Sequence, residues 1–361
     1  MKILMVLTNG FDPDVRVYKE AEYILAKGHS VEILCWDRNC EYKEYEQLKG
    51  IDIRRFPIKS VYGSGLKQIF SYAKFIKSII KYIKKNPCDL IHFHDLDGAI
   101  PSLFIRKRNM KYIFDMHELY INGINKYIDF VLLRLLHIVQ NKADKIIYVT
   151  DMQFKFMKKN NVKKCLFLPN YPSAKIFSSI KKNDFSKLRI AYIGSARDFK
   201  SLKILIDATK KHKNFQFRID GMGSEYANLK KYSEENNFEN ILTGKYDGVK
   251  DIEKIYKNTD LLYCAYDNEN ENWKSGISVK FYEGIITHTP IIVNKGGEEE
   301  KMVVKYDIGY VIDINNPSSF DKLLDNISHS DSYKRKVESI QRIDHLFDWD
   351  HIVGILDNIY E

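Results

Sequence analysis

Short apolar runs alternate with amphipathic stretches from one end of the chain to the other. The runs read as strands are 2–9 (KILMVLTN), 30–37, 51–58, 90–94, 111–117, 145–150 and 164–170. A second set follows at 188–194, 215–221, 241–246, 261–267, 290–295 and 309–314. Most are unbroken apolar segments of four to eight residues, the pattern of parallel strands covered on both faces. The helical periodicity between them predicts an α/β protein with two parallel sheets. The stretch 171–187 (YPSAKIFSSIKKNDFSK) lacks periodicity and separates the two sets. This divides the chain into a first domain at 1–173, a linker at 174–187 and a second domain at 188–346. The last segment, 347–361, reads as one helix with Phe347, Ile352, Ile355, Leu356 and Ile359 on its apolar side.

In open parallel sheets ligands sit beyond the carboxyl ends of the strands, so the residues just after each strand are the candidates for chemistry. After the first strand, Gly10 permits a tight turn, and Arg16 falls in the first turn of the following helix. An exposed arginine beside a tight turn is the plain alternative. LIHFHDLDGA (90–99) delivers His92, His94, Asp95 and Asp97. Two carboxylates in D-x-D make only part of a magnesium site, and Asp97 serves equally as a helix N-cap, so no metal is expected. YIFDMHELY (112–120) delivers Asp115, His117 and Glu118. A rim histidine between carboxylates suits donation to a hydroxyl or phosphate, and equally suits a structural role.

In the second half, Gly194 precedes a loop carrying Arg197 and Lys200 at a helix start. Two cations there form either a diphosphate cradle or a basic surface turn. Gly221 and Gly223 follow a strand without the third glycine of a dinucleotide fingerprint, so NAD is not supported and a tight turn suffices. In SGISVKFYEG (275–284), Ser278, Lys280 and Glu283 open a helix, with Lys280 and Glu283 three apart on one face. A carboxylate there suits the two hydroxyls of a ribose; a solvated ion pair is the plain alternative.

Composition narrows the partners. Lys and Arg (57) exceed Asp and Glu (48), giving a formal net charge of +9. That excess favours anionic partners such as phosphates or anionic lipid. Neither helix-turn-helix, RNP nor zinc-finger patterns accompany it, which argues against nucleic acid. Five cysteines without a C-x-x-C exclude a disulfide framework and fit a reducing cytoplasm. The N-terminal apolar run is too short for a signal peptide, and 128–140 is too short to span a bilayer. GLKQIFSYAKFIKSIIKYIKK (65–85) is amphipathic, with Ile69, Ala73, Ile76, Ile80 and Ile83 on one face and lysines elsewhere. It reads as a core-facing helix or as one resting on anionic lipid.

The order of these segments carries a resemblance. DPDVRVYKEAEYILAKGHSVEIL, LIHFHD, DMHE, FLPNYP, IAYIGSARDFKSLKILIDA, FRIDGMGSE, IEKIYKNTDLLYCAYD, SVKFYEGIITHTPIIV and FDWDHIVGILDNIYE follow one another as in the retaining glycosyltransferases of family 4. The resemblance covers almost the whole chain. It implies the GT-B fold, two facing Rossmann-like domains with a cleft between them and a C-terminal helix crossing back onto the first. It implies transfer of a hexose-type sugar from a UDP- or GDP-sugar to a glycan or lipid-linked acceptor, without a metal or other cofactor, in surface polysaccharide assembly. The enzyme would be cytoplasmic, with a peripheral place at the inner face of the cytoplasmic membrane open to it.

By resemblance His117, Arg197 and Lys200 act at the reaction centre. Gly10, Gly194, Gly221, Gly223, Ser278, Lys280 and Glu283 surround the donor, Glu283 on the ribose and Lys280 near the phosphates. Arg16, His94 and Glu118 lie on the acceptor side. The family often carries a second glutamate where this chain has Ser275. That departure keeps open a silent sugar-nucleotide binding subunit, or an epimerase of the same architecture.

Overall fold

The computed structural model describes the chain apart from residues 13, 62–65, 107–108, 120, 122–124, 181–186, 239–240, 247–250, 270 and 361, and apart from the side chains of 66, 271 and 272. The linker expected at 174–187 thus lies in part outside the described residues. The chain divides into two compact units: unit 1 is Met1–Pro169 with Val353–Glu361, and unit 2 is Asn170–Ile352.

In unit 1 the strands are β1 (Lys2–Leu7), β2 (Ser30–Asp37), β3 (Tyr45–Leu48), β4 (Ile51–Pro57), β5 (Leu90–His94), β6 (Lys111–Met116), β7 (Lys145–Tyr148) and β8 (Cys165–Phe167). They form one sheet in the order β3-β4-β2-β1-β5-β6-β7-β8. β1 is central and parallel to both neighbours, Lys2 opposite Ser30 and Ile3 opposite Leu90. Its run from Ile3 to Leu7 is buried because helices cover both faces. β3 departs from the all-parallel expectation. It pairs antiparallel with β4 at the sheet edge, and its YEQL is almost wholly exposed, so no apolar run announces it.

Helix α1 (Val15–Ala26) starts on Asp14, whose side chain accepts from the Val17 N–H, and buries Val17, Ala21 and Ile24 together with Arg16 and Glu20. Helix α2 (Leu66–Lys85) corrects the expected apolar face. It buries Phe75, Ile79 and Ile83, with the Phe75 ring stacked 5.2 Å from Trp36, while Ile69 and Ala73 are exposed. The aromatic anchor outweighs the isoleucine stripe and turns the helix about its axis. Helix α3 (Lys126–Lys142) buries Leu136 and Val139 and leaves Tyr127, Ile128, Phe130 and Val131 exposed.

Unit 2 holds β9 (Leu188–Ile193), β10 (Phe215–Asp220), β11 (Leu242–Gly244), β12 (Leu261–Tyr263), β13 (Ile291–Asn294) and β14 (Gly309–Ile312), parallel in the order β11-β10-β9-β12-β13-β14. Its principal helices are α4 (Phe199–Lys211), α5 (Tyr226–Glu235), α6 (Val279–Ile286), α7 (Glu298–Tyr306), α8 (Ser318–Ser328) and α9 (Ser332–Gln341). Its core gathers Ile190, Tyr192, Leu205, Ile219, Tyr263 and Ile292.

The terminal segment is not one helix. Asp344–Phe347, Trp349–Ile352, Val353–Leu356 and Asp357–Tyr360 are four short helical pieces. Asp348 is extended (ψ 131°), and its carboxylate accepts from the Ala174 N–H while the Trp349 N–H bonds the Pro172 carbonyl. Those bonds hold the backbone out of helical register. The first two pieces belong to unit 2 and the rest to unit 1. Among the described residues no helix is long and apolar enough to cross a membrane.

Candidate functional site

Unit 1 brings its strand-end residues into a buried ionic cluster. β5 and β6 are parallel neighbours, so His94 pairs in register with Asp115. Arg16 enters from α1. Its Nε and Nη2 donate to the two oxygens of Asp115 at 3.0 Å each, Nη1 donates to the Leu168 carbonyl at 2.9 Å, and Nε lies 3.1 Å from Glu20 Oε1. Arg16 is 6% exposed. This corrects two expectations, an exposed arginine and one that meets an acceptor. Its forked donors are spent on a buried carboxylate.

His117 Nε2 is 2.8 Å from Asp115 Oδ2 and 3.2 Å from His94 Nδ1, and its Nδ1 is 3.5 Å from Asp95 Oδ2. Burial works against charge on this imidazole, but Asp115 and Asp95 override it and push its pKa up to about 10. Burial would raise Asp115, yet Arg16 and His117 hold it well below the usual carboxylate range. Asp95 is pushed up to about 7, first by burial and then by Asp97, against the pull of His117. It adopts φ 60° and accepts the main-chain N–H groups of His117 and Glu118 at 2.8 and 3.0 Å. Asp97 accepts the Thr8 hydroxyl at 2.5 Å and its neighbour's N–H, within the helical turn rather than at its cap. Asp95 and Asp97 thus both accept hydrogen bonds from protein groups.

His94 is 2% exposed, which corrects its expected place on the acceptor side. Burial lowers its pKa. Glu118 is exposed, so of the three acceptor-side candidates it alone reaches solvent. Gly10 is held by a residue the sequence reading missed. Arg55 donates from Nε to the Gly10 carbonyl at 2.9 Å and from Nη2 to the Phe11 carbonyl at 3.1 Å. A Cβ at Gly10 would stand 3.1 Å from the Tyr42 ring. The only sequence signal for Arg55 was a charge within a strand.

Unit 2 uses its glycines for packing. Gly194 (φ 128°) and Gly221 (φ 127°) follow β9 and β10, and a Cβ on Gly221 would fall 2.0 Å from the Gly194 carbonyl oxygen. A Cβ on Gly223 would fall 2.3 Å from the Ala196 carbonyl oxygen. The two strand-end loops touch backbone to backbone, which only glycine permits. Under Gly194 lies Lys280. Its Nζ sits 3.4 Å from the Tyr192 ring centroid and 4.9 Å from that of Tyr266. It would be 3.6 Å from a Cβ on Gly194. Lys280 is 8% exposed, and Nζ has no hydrogen-bond partner among the described residues. The aromatic faces favour its charge but satisfy none of its three donors. The solvated Lys280–Glu283 pair is thus not formed.

Glu283 is half-buried and accepts the Tyr256 hydroxyl at 2.8 Å. Ser278 caps α6, and its N–H and hydroxyl donate to Glu299 Oε1 at 2.9 and 2.8 Å. Burial pushes Glu299 up to about 7, against those two bonds and Lys280. The sequence reading passed over Glu299, which stands among three consecutive glutamates. Ser275 is buried. Arg197 is exposed, with Nε on Ser195 Oγ at 2.9 Å. Lys200 pairs with Asp267 at 2.9 Å. The structure therefore groups Lys280 with Gly194, and ties Arg197 and Lys200 to partners of their own.

The family description "Glycosyltransferase Family 4" matches residues 14–170, and "Glycosyl transferases group 1" matches residues 175–342. Among curated proteins none matches the sequence significantly. Solved structures match over the whole length. Sucrose-phosphate synthase from Thermosynechococcus elongatus is 15% identical with a TM-score of 0.78, covering 100% of this chain and 98% of that one. HepE from Anabaena, solved in complex with UDP, is 15% identical with a TM-score of 0.69, covering 100% and 99%. The catalytic domain of starch synthase IV from Arabidopsis thaliana, bound to ADP and acarbose, is 12% identical with a TM-score of 0.65, covering 99% and 98%. At these identities the likeness establishes the GT-B fold. With both family descriptions matched in order along the chain, it belongs to the family 4, group 1 glycosyltransferases.

Proposed function

We propose that this glycosyltransferase moves a hexose-type sugar from a nucleotide-diphosphate sugar, UDP- or GDP-linked, to a glycan or lipid-linked acceptor, with retention and without a metal at the reaction centre. The observation that carries the reading is Lys280, a buried cation without a hydrogen-bond partner among the described residues, set against the glycine turn that ends β9. A buried unpaired charge is costly, and a bound diphosphate would satisfy it. The role of the fixed cation is to stabilise charge growing on the departing diphosphate, the largest single term expected for such a transfer. Arg197 would add a second cation from the same strand end. Glu283, steadied by Tyr256, would take the ribose hydroxyls. His117, held protonated between carboxylates, would donate a hydrogen bond rather than serve as a base, and a donor phosphate oxygen would take the acceptor's proton. The UDP bound to HepE and the ADP bound to starch synthase IV support a nucleotide donor.

The setting we infer is surface polysaccharide assembly at the inner face of the cytoplasmic membrane. Exposed Tyr127, Ile128, Phe130 and Val131 beside Arg134 on α3 support contact with anionic lipid better than α2 does. Sedimentation with anionic vesicles at low salt checks this, and an unbound protein would remove it.

The test of the donor reading is a thermal-shift series with UDP, GDP and ADP, with and without EDTA, on wild type and Lys280→Met. One diphosphate should raise Tm in both buffers. Lys280→Met should weaken its binding by about 10- to 100-fold, the worth of a charge-assisted contact. A wild type unmoved by every nucleotide would remove the reading. Ser275, buried where relatives often carry glutamate, favours a second reading as a silent nucleotide-sugar binding subunit, which predicts binding without turnover. Turnover without an acceptor would select the epimerase instead.

A further inference from the structure

Ser278 stands at the N-cap of α6 with the extended backbone that the position requires (φ −72°, ψ 149°), yet its side chain accepts no hydrogen bond from its own helix. An N-cap serine ordinarily accepts from the N–H of the second or third helical residue. Here those residues are Lys280 and Phe281. The Phe281 N–H goes to the Ser278 carbonyl at 3.0 Å, and the N–H groups of Val279 and Lys280 have no hydrogen-bond partner among the described residues. The cause lies in α7. Glu299 Oε1 takes both the N–H and the hydroxyl of Ser278, at 2.9 and 2.8 Å, and so fixes the serine side chain toward α7. The arrangement is half of a capping box. A carboxylate reaches the N-cap N–H, but it comes from another helix, because Phe281 stands where the box would place a glutamate, and the serine does not return a bond to the helix. The flanking glutamates are engaged elsewhere: Glu298 pairs with Lys301, and Glu300 accepts the Gly296 N–H at 2.6 Å.

We infer that Glu299 is a positioning residue for the nucleotide-diphosphate donor: by holding the Ser278 hydroxyl, it keeps the first N–H groups of α6 open to a phosphate. The inference rests on the donor reading proposed above. Lys280 supplies the independent observation. It lies in the same first turn, is 8% exposed, and has an Nζ without a hydrogen-bond partner among the described residues. One residue thus offers two unspent donors, a main-chain N–H and an ammonium, at the positive end of a helix. Glu299 itself is 7% exposed and touches α6 through Ser278, so it acts on the donor through that serine. Without the Glu299 oxygen, the hydroxyl would turn to the ordinary N-cap bond with the Lys280 N–H. A diphosphate would then have to displace it.

The test is calorimetric titration of UDP, GDP and ADP into wild type, Glu299→Gln, Glu299→Ala and the double variant Glu299→Ala/Ser278→Ala. The glutamine and alanine variants lose the same charge, so the difference between them isolates the acceptor oxygen. Glu299→Gln keeps that oxygen and should bind at least as tightly as wild type. Glu299→Ala should bind about fivefold more weakly than Glu299→Gln, the worth of one N-cap bond. Adding Ser278→Ala should recover that loss to within about twofold, because no hydroxyl remains to compete. A merely structural role for Glu299 predicts no such recovery, since a second truncation does not repair a loosened helix. If Glu299→Ala fails to fold, Glu299→Leu fills the space without an acceptor and is read in the same way. Equal binding by the alanine and glutamine variants, or a double variant as weak as Glu299→Ala, overturns the inference and leaves the donor reading standing. A wild type that binds none of the three nucleotides removes both.

Discussion

The two units spend their buried charges in opposite ways. In unit 1, Arg16, Asp115 and His117 saturate one another at 2.8–3.0 Å. In unit 2, Lys280 is buried against two aromatic rings and its amine bonds to nothing described. A cation already forked onto a carboxylate has nothing left for a ligand. A cation held in place without a partner is available to one. Arg16 and Lys280 both stand in the opening turn of a helix, so position along the chain alone does not separate a cation spent within the fold from one left unpaired among the described residues.

The largest test of that contrast is Arg16→Met. It leaves Asp115 and Glu20 in the core without their cation, and removing one partner of a buried pair costs about 3–5 kcal/mol. Urea unfolding should show that loss, whereas Lys280→Met should be neutral or stabilising in the absence of nucleotide. A small cost at Arg16 together with a large one at Lys280 would invert the comparison.

Next in size is the pH dependence set by Glu299. Its carboxyl is raised from 4.5 to about 7, mainly by burial. The folded state therefore binds more protons than the unfolded one between those values. The group's stabilising contribution is complete below about pH 4.5 and is lost as pH rises through about 7, amounting to about 3 kcal/mol at 1.36 kcal/mol per unit. Glu299→Gln keeps an acceptor for Ser278 and has no proton to lose. Denaturation at pH 5 and pH 8 should show the variant with a flatter profile and greater stability than wild type at pH 8. Parallel profiles would mean that the carboxylate is stabilised in place, weakening the picture of unit 2 as the unit with uncompensated charge.

These contrasts explain what could be read from the chain. Continuous apolar runs such as KILMVL and LIHFH announced their strands because both faces are covered. YEQL did not, because an exposed edge strand has no apolar signature. The helix opening at 275–284 picked out Lys280, and the strand-end rule picked out Asp115, His117 and Gly194. It did not say that Arg16 would cross to Asp115, a partner 99 residues away, nor that Arg55 would hold the Gly10 carbonyl from 45 residues off. Spacing within α1 carried a trace of the first. Arg16 and Glu20 are four apart on the face that also buries Val17, Ala21 and Ile24, so a charged pair sits on an apolar stripe. The terminal helix failed for a similar reason, since Asp348 takes its hydrogen bond from Ala174, beyond the reach of local periodicity.

The smallest expected effect sharpens the comparison within unit 2 itself. Arg197 and Lys200 stand three apart, both exposed, and both candidates for the donor diphosphate. Lys200 already pairs with Asp267 at 2.9 Å and approaches Glu269 at 3.9 Å. An anion recruiting it must first compete with those carboxylates, and exposed pairs of this kind are worth at most about 1 kcal/mol. Among the described residues Arg197 makes a neutral hydrogen bond to Ser195 and no ion pair, so its charge faces no such competition there. Titrating the preferred nucleoside diphosphate calorimetrically should therefore give a loss of only about 2- to 5-fold for Lys200→Ala, and a larger one for Arg197→Ala. The order matters more than the sizes. If Lys200→Ala were the costlier variant, Asp267 would have to release the lysine on binding, and prior pairing would no longer distinguish the charges that hold the fold from those that meet the ligand.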